Sequence, residues 1–199
     1  MTLYDLKPRF QSLLRPLLSA LFNAGITANQ VTLLAMAASL AVGIRLAWTP
    51  TPAYFLILPG FLLLRMALNA IDGMLAREFR QQSRLGALLN EVGDVVSDAA
   101  LYLPFALLPQ AGVLPVLLFV LLAGMTEFIG VLGQTLGGPR RYDGPLGKSD
   151  RAFVLGSYAL LVGSYPAALA WGNGLFWLLA GLSVLTCIHR GRKALVAAA

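Results

Sequence analysis

Apolar runs long enough to cross a bilayer alternate with short polar breaks along almost the whole chain. About 20 mostly apolar residues make one helical span. On that measure spans are predicted at about 30–48, 52–77, 84–108, 112–136, 151–170 and 173–189. Ahead of them, residues 6–24 ("LKPRFQSLLRPLLSALFNA") repeat Phe10, Leu13, Leu14, Leu17, Leu18 and Leu21 at helical spacing, with Lys7, Arg9 and Arg15 near the start. That pattern predicts an amphipathic helix lying in the membrane interface. The expected fold is all-α: one integral-membrane domain over 1–199, with the interfacial helix at 6–24 and a six-helix transmembrane bundle over 30–189.

Composition agrees, with 58% apolar and 12% charged residues and a mean hydropathy of +0.74, against roughly 25% charged residues in a soluble domain. The net charge of +6 alone would suit nucleic acid, but its distribution points elsewhere. The breaks at "TPTP" (49–52), "PQAG" (109–112) and "WGNG" (171–174) carry no charge. Those near 77–84, 139–151 and the tail from His189 hold Arg77, Arg80, Arg84, Arg140, Arg141, Lys148, Arg151, Arg190, Arg192 and Lys193. The positive-inside rule therefore predicts cytoplasmic termini and basic loops, and no nucleic-acid partner. "MTLYDLKPRF" lacks the apolar core of a secretory signal, so no processing is expected. The lone Cys187 is read as a buried, inert thiol. Gly133 and Gly137 are four residues apart and predict a close approach by another helix.

One stretch does not suit lipid: "LNAIDGMLAREFRQQSRLGALLNEVGDVVSD" (68–98) puts Asn69, Asp72, Asn90, Asp94 and Asp98 into the second and third spans. An intramembrane charge costs about 2.5–3.5 kcal/mol at a helix centre and marks function by default. If the two spans form an antiparallel hairpin turning near Gln81, Asp72 lies level with Asn90, Asn69 with Asp94, and Arg65 with Asp98. Asn69 and Asp72 share one helix face, and Asn90, Asp94 and Asp98 share another. Two oxygen-rich stripes without His or Cys suit Mg²⁺ or Mn²⁺ held jointly with substrate phosphates. The small residues Gly73, Ala76, Gly86 and Gly93 would admit a helix or the flat part of a ligand, and Arg77 adds positive charge at the same end. Arg65 is expected to compensate Asp98; Glu127, in the fourth span, is expected to compete for Arg65 or to contribute to the site.

The hairpin resembles the signature of the CDP-alcohol phosphotransferases, D-x2-D-G-x2-A-R-x8-G-x3-D-x3-D. Asp72, Gly73, Ala76, Arg77, Gly86 and Asp94 match at full spacing, and "GITANQVTLL" (25–34) resembles the family's approach to its first span. The resemblance implies a membrane enzyme of phospholipid biosynthesis in the bacterial inner membrane. It would move a phosphatidyl or related phosphoalcohol group from a CDP-linked lipid donor to a small or phosphorylated alcohol acceptor, releasing CMP. It also implies a homodimer, Mg²⁺ or Mn²⁺ as cofactor, Asp94 as the base that deprotonates the acceptor, and Asn29, Thr32, Gly73, Ala76 and Gly86 around the nucleotide. The family's first and third Asp are Asn69 and Asn90 here, so one metal site is expected, on Asp72 and Asp94 with Asn69 and Asn90 offering neutral oxygens. Lys148 and Arg151 are expected to form an anion pocket, while Arg140 and Arg141 suit topology and "HRGRK" (189–193) suits a solvated or headgroup-binding end. "NEVGDVVSD" (90–98) also resembles the metal motif of intramembrane prenyltransferases, and a silent scaffold or transporter would likewise carry intramembrane charge.

Overall fold

A computed structural model describes residues 3–197, with side chains from 10 to 196; Lys7 and Arg9 lie outside the described side chains. Among the described residues the chain is all-helical, with no strand. The helices are α1 (Leu3–Asn23), α2 (Ala28–Trp48), α3 (Ile57–Glu78), α4 (Arg84–Tyr102), α5 (Val113–Thr135), α6 (Lys148–Ser164) and α7 (Gly172–Ala197).

The turn from α1 to α2 follows from "GITANQ". Gly25, at φ 76°, reverses the chain where a side chain would be strained. Thr27 Oγ1 then accepts from the Gln30 amide at 3.3 Å while Gln30 Oε1 accepts from the Thr27 amide at 2.9 Å, a capping box that starts α2. Gln81, in the α3–α4 turn, caps the same end by accepting from the Ala28 amide at 2.7 Å. Side chains of α1 pack Leu18 into a cluster with Val31 of α2 and Ile71 and Leu75 of α3, leaving Leu13 77% exposed on the opposite face.

Three breaks without charge each lead into or follow a short 3-10 turn carrying proline: Pro52–Leu56, Leu103–Leu107 and Pro166–Trp171. They close one end of the bundle over an aromatic core. Phe105 lies with its ring centroid 4.8 Å from Phe55 and 5.6 Å from Phe176, which in turn touches Phe119. The charged breaks gather at the other end.

Four stretches are long and apolar enough to cross a membrane: Ala28–Trp48, Pro52–Glu78, Val113–Thr135 and Pro166–Val196. Six were expected. The shortfall falls on α4, which carries Arg84, Glu91, Asp94 and Asp98 in 19 residues, and on α6, which has only 17 residues and begins Lys148, Ser149, Asp150, Arg151. α6 starts three residues before the predicted boundary because Asp150 Oδ2 accepts from the Gly147 amide at 2.8 Å and caps it.

Two glycine expectations change. Gly137, at φ 86°, follows the end of α5, and among the described residues nothing comes within 4 Å of a Cβ built there. Gly133, with Gly130, instead admits the chain's own basic loop: a Cβ at Gly130 would come within 2.7 Å of the Arg141 carbonyl, and one at Gly133 within 3.0 Å of the Pro139 carbonyl. The Arg141 amide donates to the Gly130 carbonyl there at 3.0 Å.

Candidate active site

α4 presents two contrasting faces. Gly86, Gly93 and Ala100 recur every seven residues and meet α2: Gly86 at Asn29, Gly93 at Thr32 and Met36, and Ala100 at Gly43. A Cβ on Gly43 would collide with the Ala100 backbone, so glycine is what lets these helices approach so closely. Glu91, Asp94 and Asp98 recur at helical spacing on the other side, toward α3, α5 and α6. Asn90 falls between the two faces by its helical angle.

The acidic face is embedded in ion pairs. Arg65 Nη1 donates to Asp98 Oδ1 at 2.5 Å, the pairing expected from level positions in the hairpin, and Arg65 Nη2 donates to the Asp94 carbonyl at 3.1 Å. Asn69 Nδ2 donates to Asp94 Oδ1 at 3.2 Å, also as the hairpin depth predicts. Lys148 Nζ donates to the same oxygen. Asp72 departs from the level scheme: no hydrogen bond joins it to Asn90, and Asp72 Oδ2 instead accepts from Thr32 Oγ1 of α2 at 2.8 Å. Asp72 feels the charges of both Asp94 and Lys148.

Arg151, expected beside Lys148 in an anion pocket, is fully buried instead. Its Nη2 donates to Asp98 Oδ2 at 3.1 Å and Glu127 Oε1 at 2.8 Å, and its Nη1 to Thr126 Oγ1 at 3.0 Å. Two buried carboxylates draw the guanidinium inward, because either one alone would be a costly unpaired charge. Arg140, read from sequence as a topology residue, donates to Glu91 and, at 3.0 Å, to Glu127 Oε2. Arg190 is no solvated tail residue: it is 2% exposed, within 3.5 Å of Glu127 Oε1, and donates to the Thr126 carbonyl at 2.5 Å.

Glu127 and Arg190 are the members of this network that motif spacing missed. A signal for Arg190 was present. Ser183, Thr186 and Arg190 form a buried polar stripe at i, i+3 and i+7 inside an apolar helix. That stripe holds the basic loop: the Leu146 amide donates to Thr186 Oγ1 at 3.1 Å, and Arg190 Nε to the Asp143 carbonyl at 3.2 Å. Gly144, at φ 121°, fits against Thr186 where a Cβ would sit 2.6 Å from its methyl group. In the same loop, a hydrogen bond from Lys193 and the adjoining Arg141 guanidinium hold the Asp143 carboxyl below the usual carboxylate range.

The remaining predicted residues sit around this centre. Arg77 is exposed and folds over Gly73, its Nη1 3.2 Å from where a Cβ would stand; Ala76 is half-buried against the α1–α2–α3 cluster. Cys187 is half-buried against the Leu122 carbonyl, and His189 is exposed. Among the described residues, no three His, Cys, Asp or Glu side chains converge tightly enough to hold a metal by themselves. Asp72 on α3 and Asp94 on α4, carboxylates on facing helices with the Asn69 carboxamide beside Asp94, are a hard-oxygen donor set of the kind that suits a divalent cation.

A family model described as CDP-alcohol phosphatidyltransferase matches residues 25–188. The inner membrane protein YnbA of Escherichia coli is 52% identical to this chain, covering 100% of it and 99% of YnbA. Phosphatidylinositol phosphate synthase of Mycobacterium marinum is 27% identical, over 91% of this chain and 79% of its own. The crystal structure of the Mycobacterium tuberculosis phosphatidylinositol phosphate synthase with CDP-DAG bound matches with a TM-score of 0.74 at 25% identity, covering 90% of this chain and 92% of that one. The structure of that synthase with manganese and citrate gives 0.75 at 25% identity, over 92% of this chain and 88% of the other.

Proposed function

Because the chain belongs to the CDP-alcohol phosphatidyltransferase family, we propose that the meeting point of α2, α3, α4 and α6 around Asp94 is where its transfer chemistry occurs. The activity is that of the family: a phosphatidyl or related phosphoalcohol group passes from a CDP-linked lipid donor to an acceptor alcohol in phospholipid synthesis, with release of CMP. The protein is an integral membrane enzyme, and the family works with a divalent metal.

Asp94 supports the assignment best, since it alone among the motif residues is touched by Asn69, Arg65 and Lys148 together. In our reading the acceptor hydroxyl gives its proton to the Asp94 carboxylate as its oxygen bonds to the lipid-side phosphorus. The pyrophosphate bond to CMP breaks, and CMP leaves with the bridging oxygen. Lys148 and Arg65 pair with the Asp94 carboxylate and fix its orientation. Asp72 and Asp94 would hold one Mg²⁺ or Mn²⁺, helped by the Asn69 and Asn90 oxygens; when bound, the ion neutralises the donor pyrophosphate. The cytidine side of the donor lies on the α2 side, along Asn29, Thr32, Gly73, Ala76 and Gly86, with Arg77 against its phosphates. Lys148 remains the one direct cationic contact from the basic loop, and Arg151 serves as a positioning residue through Asp98.

The same reading takes α4 and α6 as the fifth and sixth membrane-spanning helices, their charges turned inward into pairs, with α1 in the interface. The whole chain, 1–199, is then one domain. Both termini and the site face the cytoplasm by the positive-inside rule, and the resemblance supports a homodimer.

Incubating the purified protein with CDP-diacylglycerol, a panel of alcohols and either Mg²⁺ or Mn²⁺ tests the function. CMP release that needs both metal and acceptor is expected. Its absence with every acceptor would refute the reading.

A further inference from the structure

Resting on the transfer reading above, we infer that the acceptor taken by this site is an alcohol without a phosphate group. Five cations reach the site from the bundle: Arg65, Arg140, Lys148, Arg151 and Arg190. Four carboxylates pair with them, Glu91, Asp94, Asp98 and Glu127, and Asp72, held by Thr32, adds a fifth. Each of the five cations lies in an ion pair, so the protein presents a site of no net charge.

The donor pyrophosphate is esterified at both ends and carries two negative charges, which one divalent ion balances. Arg77 supplies one further positive charge, on the donor side. A phosphorylated acceptor would bring about 1.5–2 more negative charges at neutral pH, of which Arg77, on the donor side, offsets at most one in a region of low dielectric.

Position reinforces the count. The small seam and Asn29 occupy the α2 side of α4, so an acceptor approaches Asp94 from the side of α5, α6 and the basic loop. There the arginines that would otherwise attract a phosphate are already held by carboxylates of the chain. Arg140 bridges Glu91 and Glu127, and Glu127 also holds Arg151 and Arg190. Arg140 Nε and Arg151 Nε are buried without a protein acceptor and offer hydrogen bonds to a ligand oxygen, but their charge is neutralised. A hydroxyl suits such donors, whereas a phosphate would have to sit against Glu127, a carboxylate that the fold prevents from leaving.

The experiment uses the full chain in lipid nanodiscs with CDP-diacylglycerol and Mn²⁺, and compares matched acceptors: glycerol with glycerol 3-phosphate, and inositol with inositol 1-phosphate. CMP release should favour the unphosphorylated member of at least one pair by about ten-fold or more in kcat/KM. Glu127→Gln should shift that ratio toward the phosphorylated member by several-fold. Glu91→Gln, which leaves the buried pairings of Glu127 in place, should shift it in the same direction. Preference for the phosphorylated members by the unaltered protein would overturn the inference alone. So would a ratio that neither substitution moves. If neither pair releases CMP, another unphosphorylated alcohol must do so for the inference to stand; no CMP with any acceptor would overturn the transfer reading along with it, and bound radiolabelled donor without turnover would mark that as a failure of chemistry rather than of folding.

Discussion

The two faces of α4 solve opposite problems with the same helix. Toward α2 it removes side chains, with Gly86, Gly93 and Ala100 at seven-residue spacing, so that backbone meets backbone and the contact is steric. Toward α3, α5 and α6 it carries Glu91, Asp94 and Asp98, and each of these carboxylates is held in an ion pair. In a bilayer neither face gains from expelling water, so helices associate through close packing or polar contacts. The difference teaches where tolerance lies. The neutral face should register volume, and the acidic face should register charge at constant volume.

The most severe disruption of the acidic face should come from Asp94→Asn. It preserves shape but removes the proposed base, and CMP release is expected to fall by about 10²-fold or more while the purified protein remains monodisperse on size exclusion. Retained turnover would assign the base elsewhere. Arg151→Leu should leave Asp98 and Glu127 buried around an apolar side chain and cost about 3–5 kcal/mol of stability, measured by chemical unfolding in detergent. A neutral result would mean that Arg65, Arg140 and Arg190 suffice.

On the neutral face, Gly43→Ala adds a single methyl group directly against the Ala100 backbone. Since the obstacle is backbone rather than a flexible side chain, α2 and α4 must separate, at about 1–3 kcal/mol; thermal melting reports it. Gly86→Ala is a gentler version. Its Cβ would stand 2.7 Å from Asn29 Oδ1, the end of a mobile side chain. The fold should survive, while the KM for the CDP-linked donor rises by a few-fold with less effect on kcat.

The smallest effect is expected at the loop beside the acidic face. Asp143 has its pKa lowered by Lys193 and Arg141, so the stabilisation is complete above the ordinary Asp value of about 3.9 and disappears as pH falls through the lower folded value. Hydrogen exchange of residues 139–147, corrected for intrinsic rates, should quicken only in that acidic window. Equal protection down to pH 2 would show that Arg190 and Thr186 hold the loop without help from Asp143.

Much of this was legible in the chain. The hairpin turn, the Arg65–Asp98 pair and the Asn69–Asp94 contact follow from counting helical rise on two antiparallel spans, because local geometry sets depth once direction is known. Asp72 was misjudged: its partner Thr32 lies on α2, and rise along a hairpin says nothing about a third helix. Arg151 and Arg140 were misjudged because Glu127 could not be placed, and it lies on α5, remote in sequence from both α4 and α7.

By itself, then, the sequence determined which segments are helical, where they turn, which residues of the hairpin lie level and which reaction family the motif belongs to, since these depend on spacing along one helix or between adjacent ones. The tertiary structure alone decided which cation meets which carboxylate, since helices far apart in sequence converge there. In a low-dielectric interior a charge takes whichever partner packing brings within reach. That pairing turned a loop rich in arginine into a neutral wall and made Asp94 the point at which Asn69, Arg65 and Lys148 meet.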